Sequence, residues 1–544
     1  MRSLTALGAT LALYLGLGAA HATVFTVTST ADTAGATCGS PCTLRQAIQA
    51  ANANTGADVI NFSVSGTIAL GSVLPTVTDT LMIDGTGRSV VLSGGGTVQV
   101  LQLNSATTLN LISLTIADGR ASAYATAGAV TVLPPSAATS TGGAALNLSR
   151  CVLSGNTSTG PFAAGAIVLS TGNGTLTVAN SSFTGNAGQL LTGEPSVGVI
   201  FSASSGSITI ADSSFENNAG STGAIHSGQG LLTISGSTFA GNSANTSGGA
   251  IWASQSGTIA NSTFFGNSAT HRGGAIFFAR AADIASQLTV THSTFAGNAS
   301  NAGNLAGLNG AIYSAPNTVL RNTIVANSSN GNCSANVVDG GGNLSDDASC
   351  AITAATSLAN TPAQLGSLQG NGGPTRTMAP LAGSPAVDQG VNQLAIDASL
   401  STDQRGTAFP RISPAGGTVD RGAVEIQVDN TPPTCTASAR PNRLLKANHK
   451  LVDITTTVAA VDNLPGVAFK LRSVTSSEAD SKLGHDDVPL DIQGWAVGTA
   501  DLGGQLRDER YSRAGRIYTI AYEVRDAAGN ISTCSATVTA VGTL

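Results

Sequence analysis

Apolar positions recur along this chain in short bursts rather than in helical stripes. The clearest burst is 232–252, LTISGSTFAGNSANTSGGAIW. It has three parts: Leu-Thr-Ile, then Ser-Thr-Phe-Ala-Gly-Asn, then a polar loop ending in Gly-Gly-Ala-Ile-Trp. The phrase returns at 257–277 and, with a longer loop, at 288–313. Rungs aligned on the apolar residue of the middle part give one column: Ile83, Ile116, Leu153, Phe183, Phe215, Phe239, Phe264, Phe295 and Ile324. Five residues before each, from the second onward, stands another apolar: Leu111, Leu148, Val178, Ile210, Ile234, Ile259, Val290 and Val319. A Gly-Ala-Ile or close variant follows each loop, with its last residue at Ile167, Ile200, Ile225, Ile251, Ile276 and Ile312.

Three short strands per repeat, with no helical run between them, predict an all-β solenoid over 58–345. The expected form is a right-handed, single-stranded parallel β-helix in which each repeat is one turn and like residues stack along the axis. Anchors lie 24 to 37 residues apart, so the variation belongs in loops. Three before each anchor stand Ser113, Arg150, Asn180, Asp212, Gly236, Asn261, His292 and Arg321. Two apolar columns five apart force a bend between them, and Asn, Asp and Gly tolerate the left-handed backbone a bend needs. Asn156, Asn186, Asn218, Asn242, Asn267, Asn298 and Asn327 follow the anchors by three and suit a stacked amide column.

Flanking segments read differently. Arg2, an apolar stretch at 4–20 and Ala20-His21-Ala22 make 1–22 a secretory signal, which puts the mature chain outside the cytoplasm or on the cell surface. No later run is long enough to span a bilayer. Residues 23–57 are expected to cap the solenoid: Leu44, Ala47, Ile48 and Ala51 line one face of a short helix, and Thr43 with Gln46 forms a capping box. After Asn-Thr-Pro-Pro at 430–433, alternating stretches at 451–458, 467–474, 517–524 and 532–539 predict a β-sandwich over 429–544. Seven cysteines suit an oxidising compartment. The expected pairs are Cys38 with Cys42, Cys333 with Cys350 and Cys435 with Cys534, leaving Cys151 as a buried apolar residue.

Several motifs carry a resemblance. CTLRQAI at 42–48 resembles the CSLREA segment of secreted bacterial β-helix proteins. The FxxN and GGA-Ile pair over 140–330 resembles the repeat of bacterial polymorphic outer-membrane proteins. Asn371-Gly-Gly-Pro-Thr-Arg-Thr, Gly383-Ser-Pro-Ala-Val-Asp388, Asp403-Gln-Arg-Gly406 and Asp420-Arg-Gly-Ala-Val-Glu425 resemble the choice-of-anchor Q region that follows such helices. That makes 346–428 a terminal segment closing the solenoid. The ending YEVRDAAGNISTC resembles bacterial Ig-like modules. The resemblances imply a pectin-lyase-like fold displayed at a bacterial surface.

Composition narrows the chemistry. Aromatics are 4%, charged residues 10% and net charge −6, which offers no basic face for nucleic acid. Three constellations remain. Three after the Gly of each Gly-Ala-Ile lie Val168, Phe201, His226, Trp252, Phe277 and Tyr313. If Ile points inward these point outward, as a ladder for sugar rings or another chain. The competing reading is packing: under a loop, under 362–425, or inward with the Ile column outward. The second constellation is acid–base: Asp212, His271 and Arg272, with Glu216, Arg280, Asp283 and His292 also available, but without the clustered acids a cation site needs. The third, Asp403-Gln-Arg, Asp420-Arg and Glu425, reads as ion pairs holding the terminal segment. No zinc spacing, nucleophile elbow or phosphate loop is present, so no cofactor or metal is expected. The expected function is non-enzymatic adhesion or binding to polysaccharide or to a host or neighbouring cell surface. The alternative is a pectin-lyase-like polysaccharide lyase or glycoside hydrolase.

Overall fold

In the computed structural model the described residues are 22–134, 143–170, 172–189, 196–279, 286–301, 310–315, 317–334, 336–412, 417–426, 431–446, 448–462, 466–482, 486–526 and 528–541. The secretory-signal reading of 1–22 therefore falls almost wholly outside them. The chain is mostly β and divides into two compact units, Met1–Ile426 and Gln427–Leu544. Among the described residues no helix is long and apolar enough to cross a membrane.

In the first unit, one turn of the chain visits four sheets. The phrase at 232–252 shows it: Leu232–Ser235 lies in sheet 1, Thr238–Ala240 in sheet 2, Ser243–Ala244 in sheet 3 and Ile251–Ala253 in sheet 4. The next strand, Gly257–Ala260, returns to sheet 1 and pairs in parallel with Leu232–Ser235. The four sheets hold twelve, eleven, seven and eight strands, stacked in chain order. Every pairing given for them is parallel, as a coil that always advances in one direction requires.

The interior is a set of columns. Phe183, Phe215, Phe239, Phe264 and Phe295 are fully buried, with neighbouring ring centroids 4.5–4.9 Å apart and planes within 6°. Ile167, Ile200, Ile225, Ile251, Ile276 and Ile312 of sheet 4 are likewise buried. The bend column has the expected left-handed backbone: Ser113, Arg150, Asn180, Asp212, Gly236, Asn261 and His292 have φ between 46° and 60°.

At both ends of the coil the pairing departs from the expected columns. Ile83 sits in sheet 1 opposite Leu111, and Leu92 is the residue opposite Ile116. In the last full rung the register moves by one: Val325 opposes Phe295, Leu320 opposes Val290, and Asn322 rather than Arg321 is left-handed. Val319-Leu320 and Ile324-Val325 are both apolar pairs, so periodicity fits either register. Asn322 decides it, because Asn tolerates the left-handed bend better than Arg.

Two polar ladders hold the coil. Asn156, Asn186, Asn218, Asn242, Asn267 and Asn298 are fully buried. Each amide donates to the next at 2.9–3.1 Å. Asn327 lies off this ladder, its backbone N–H donating to Asp346. The second ladder is absent from the sequence reading. The backbone N–H groups of Ser181, Ser213, Ser237 and Ser262 donate to the hydroxyls of Ser213, Ser237, Ser262 and Ser293 at 3.1–3.3 Å. Buried polar atoms in both ladders are thus paired inside the fold.

At the start, Leu44–Ala53 is helical with the capping box of Thr43 and Gln46 formed. Leu44, Ala47, Ile48 and Ala51 are buried, and Arg45 makes a bidentate pair with Asp32 at 2.8 and 2.9 Å. After residue 360 the chain turns back along the outside of sheet 2 as a strap. The second unit has two four-stranded sheets. One runs Thr434–Arg440, Leu451–Val461, Gly503–Arg507, Ile492–Gln493; the other runs Arg443–Leu444, Ile531–Ala540, Arg516–Arg525, Ala468–Ser476. Disulfides join Cys38–Cys42, Cys333–Cys350 and Cys435–Cys534, and Cys151 is free and buried.

Candidate functional site

The outer face of sheet 4 carries the aromatic column. With the Ile column inside, strand alternation sends the middle residue of each strand outward. Val168, Phe201, His226, Trp252, Phe277 and Tyr313 are in register through successive pairings. Phe201 is buried, while His226, Trp252, Phe277 and Tyr313 are half-buried. Two rings from longer loops extend the column: Tyr124 packs on Phe162 at 5.4 Å, and Phe162 on Phe201 at 5.9 Å. The sequence phrase does not reveal them, because each lies upstream of its Gly-Ala motif.

Ring orientation decides what the column can touch. His226 stacks on Trp252 at 4.0 Å and 6°, and Phe277 on Tyr313 at 5.0 Å and 7°. Rings stacked in this way use their faces on each other and turn edges outward. At one end Arg272 lies 5.1 Å from the Tyr313 ring centre, a cation–π contact, and donates to its hydroxyl at 3.4 Å. At the other end Tyr124 and Phe162 are tilted by 57°, and Tyr124 is 68% exposed. A free aromatic face is therefore offered at Tyr124. Burial lowers His226 to about 4, so it sits in the stack as a neutral ring.

The acid–base candidates are not gathered. Asp212 lies at the corner of sheets 1 and 2, whereas His271 and Arg272 lie in the loop entering sheet 4. His271 is exposed, and Arg272 is committed to Tyr313. Glu216 is paired with Arg376 of the strap at 2.8 Å. His292 is fully buried against Asn322, its ring nitrogen 2.9 Å from the amide, and burial holds its pKa well below the ordinary value. Arg280 and Asp283 lie outside the described residues. Among the described residues no three His, Cys, Asp or Glu side chains are grouped as metal ligands would be.

The third constellation is an internal joint. Arg411, fully buried, donates to Asn261 Oδ1 at 2.7 Å, to Ala423 O at 2.9 Å and to Glu425 at 3.4 Å. Arg405 pairs with Asp403 at 2.7 Å. Gln404 reaches Thr238 and Thr263, and Ala423 N–H donates to Thr294. Asn322 meets Val391 through both halves of its amide. These contacts run along the flank of sheet 2 over successive rungs. Burial raises Glu425 to about 8 and Asp420 to about 6, and Asp403 and Asp420 push Glu425 further in the same direction. Arg411 is the central residue of the joint. Nothing in the sequence marks it among the six charged residues of 403–425 as the fully buried cation.

No protein-family model matches the chain, and no curated protein matches it.

Proposed function

We propose that this chain is a secreted or cell-surface bacterial protein without catalytic activity, which binds an extended polysaccharide along the outer face of sheet 4. The first unit is read as a right-handed parallel β-helix with Leu44–Ala53 capping its first turn, and the second as an Ig-like spacer or second binding module. This follows the resemblance to CSLREA and choice-of-anchor Q proteins.

The carrying observation is the column from Tyr124 to Tyr313, seven rings in sequential contact and half-exposed along most of its length. Successive strands stack at ~4.8 Å, so the ridge is long enough for several sugar units. A pyranose face stacks on Tyr124, and hydroxyl oxygens meet the positive ring edges further along. Separation of Asp212 from His271 and Arg272 supports a binding role over a lyase.

A glycan array probed with the full chain, beside a uronate lyase assay read by absorbance of unsaturated product, tests this. Trp252 and Trp495 are the only tryptophans, so the W495F protein reports ligand through Trp252 fluorescence. Binding that Y124A weakens supports the reading. Product formation, or binding indifferent to both Y124A and W252A, overturns it.

A further inference from the structure

The strap does not fill the groove it occupies. Its contacts with the flank come from two columns. One is the bend column at the corner of sheets 1 and 2, where Asn261 and Asn322 grip strap backbone: Thr402 O for Asn261, and both N–H and C=O of Val391 for Asn322. The other is the first residue of each sheet 2 strand, where Thr238, Thr263 and Thr294 bond Arg376 O, Gln404 and Ala423 N–H. An arginine of the strap meets a carboxylate at Glu216, in a two-point contact at 2.8 and 3.2 Å.

Both columns continue past the strap. Upstream of Gly236 the bend column presents Asp212, Asn180 and Arg150; the sheet 2 column presents Ser214, Ser182 and Val152. Together with Pro374 and Thr375, where the strap ends, these residues line one open cleft. Asn180 and Arg150 are exposed. Asp212 is half-buried, its carboxylate has no hydrogen-bond or ion-pair partner among the described residues, and burial alone raises its pKa. A half-buried carboxylate without a partner is the group that gains most from a guanidinium.

We infer that this cleft is a docking site for an extended, arginine-bearing peptide segment of another protein chain, bound as the strap is bound one step further along. Asn180 takes the part of Asn261 and Asn322 toward the peptide backbone. Ser182 and Ser214 take the part of Thr238 and Thr263. Asp212 receives the arginine as Glu216 receives Arg376. Val152, 40% exposed, and Pro374 supply apolar walls. Main-chain contacts give such a site affinity, and the arginine gives it preference.

The probe is a fluorescein-labelled peptide with the sequence of residues 370–378, GNGGPTRTM, titrated by anisotropy against the full chain. Saturable binding is expected, weakened about tenfold or more when its arginine is glutamine and, separately, in D212N. D212N keeps the fold, because Asn180 and Asn261 hold the same left-handed conformation in neighbouring rungs. W252A should leave peptide binding unchanged. Absence of saturable binding overturns the inference. So does binding equal in wild type and D212N, which would mean the peptide only displaces the strap. Competition by an oligosaccharide that wild type and W252A bind equally would make the cleft a sugar site and also overturn it.

Discussion

Asn218 donates its amide to Asn242 Oδ1 at 2.9 Å, and its backbone N–H shares that oxygen at 3.2 Å. Asn242 in turn donates to Phe215 O at 2.9 Å. It also donates to Asn267 Oδ1 at 2.9 Å, so one side chain satisfies groups in two rungs. N242A removes the acceptor of two Asn218 N–H groups and a donor to Phe215 O, a loss of roughly 3 kcal/mol or more. Its thermal unfolding midpoint should fall well below that of T233A, which alters an outward-facing residue. N242D should fall at least as far, since it adds a buried charge.

Backbone spacing gives the second prediction. A Cβ at Gly223 would lie 1.7 Å from Gly249 O in the next rung, whereas one at Gly370 meets nothing within 4 Å. G223A should therefore disrupt the stack and lower both soluble yield and the unfolding midpoint. G370A should match the parent within ~0.5 kcal/mol. Equal behaviour of the two would refute close approach at sheet 4.

The strap should loosen as pH rises. Glu425 and Asp420 are raised in the docked chain to about 8 and about 6, from ordinary carboxyl values of 4.5 and 3.8. Docking therefore favours their protonated forms. Its contribution is full below the ordinary values, falls as pH climbs through Asp420's window, and is lost as pH passes Glu425's folded value. Limited proteolysis of the strap should be faster at pH 9 than at pH 5.5. E425Q, which keeps the acceptor for Arg411 without the ionisation, should flatten the difference.

His226 behaves in the opposite sense. Its folded pKa is lowered from 6.5 to about 4. Stability from this group is present above pH 6.5 and declines as pH falls toward 4, because only the unfolded chain binds the proton readily. NMR of the imidazole should show no titration between pH 7 and 5. H226F should remove this part of the acid sensitivity while keeping a ring between Phe201 and Trp252.

Much of the first unit was legible in its sequence because stacking repeats chemistry every turn. The Asn column, the inward Ile and the left-handed bends each recur often enough to stand out. Register failed where adjacent apolar residues offered two choices, at Val319-Leu320 and Ile324-Val325. Alternation puts Trp252 and its neighbours on the face opposite the Ile column, but which of the two columns faces inward was left open by the sequence. That His226 stacks on Trp252 and Phe277 on Tyr313 while Tyr124 is tilted on Phe162 was not readable, since ring rotation leaves no trace in spacing. Arg411, Asn322 and the cleft beside Asp212 depend on where a distant segment returns, and local pattern carries no information on that.

The strap also gives the coil two mechanical regimes. Among the described residues no strap hydrogen bond reaches the rungs before Asp212, so tension along the axis should peel those rungs one turn at a time. From Glu216 to Asn322 a single covalent segment is fastened to successive rungs by Arg376, Gln404, Arg411 and Val391. Those turns cannot separate without shearing several attachments at once. Under load, this half of the coil should act as a stiff beam and the other as an extensible spring.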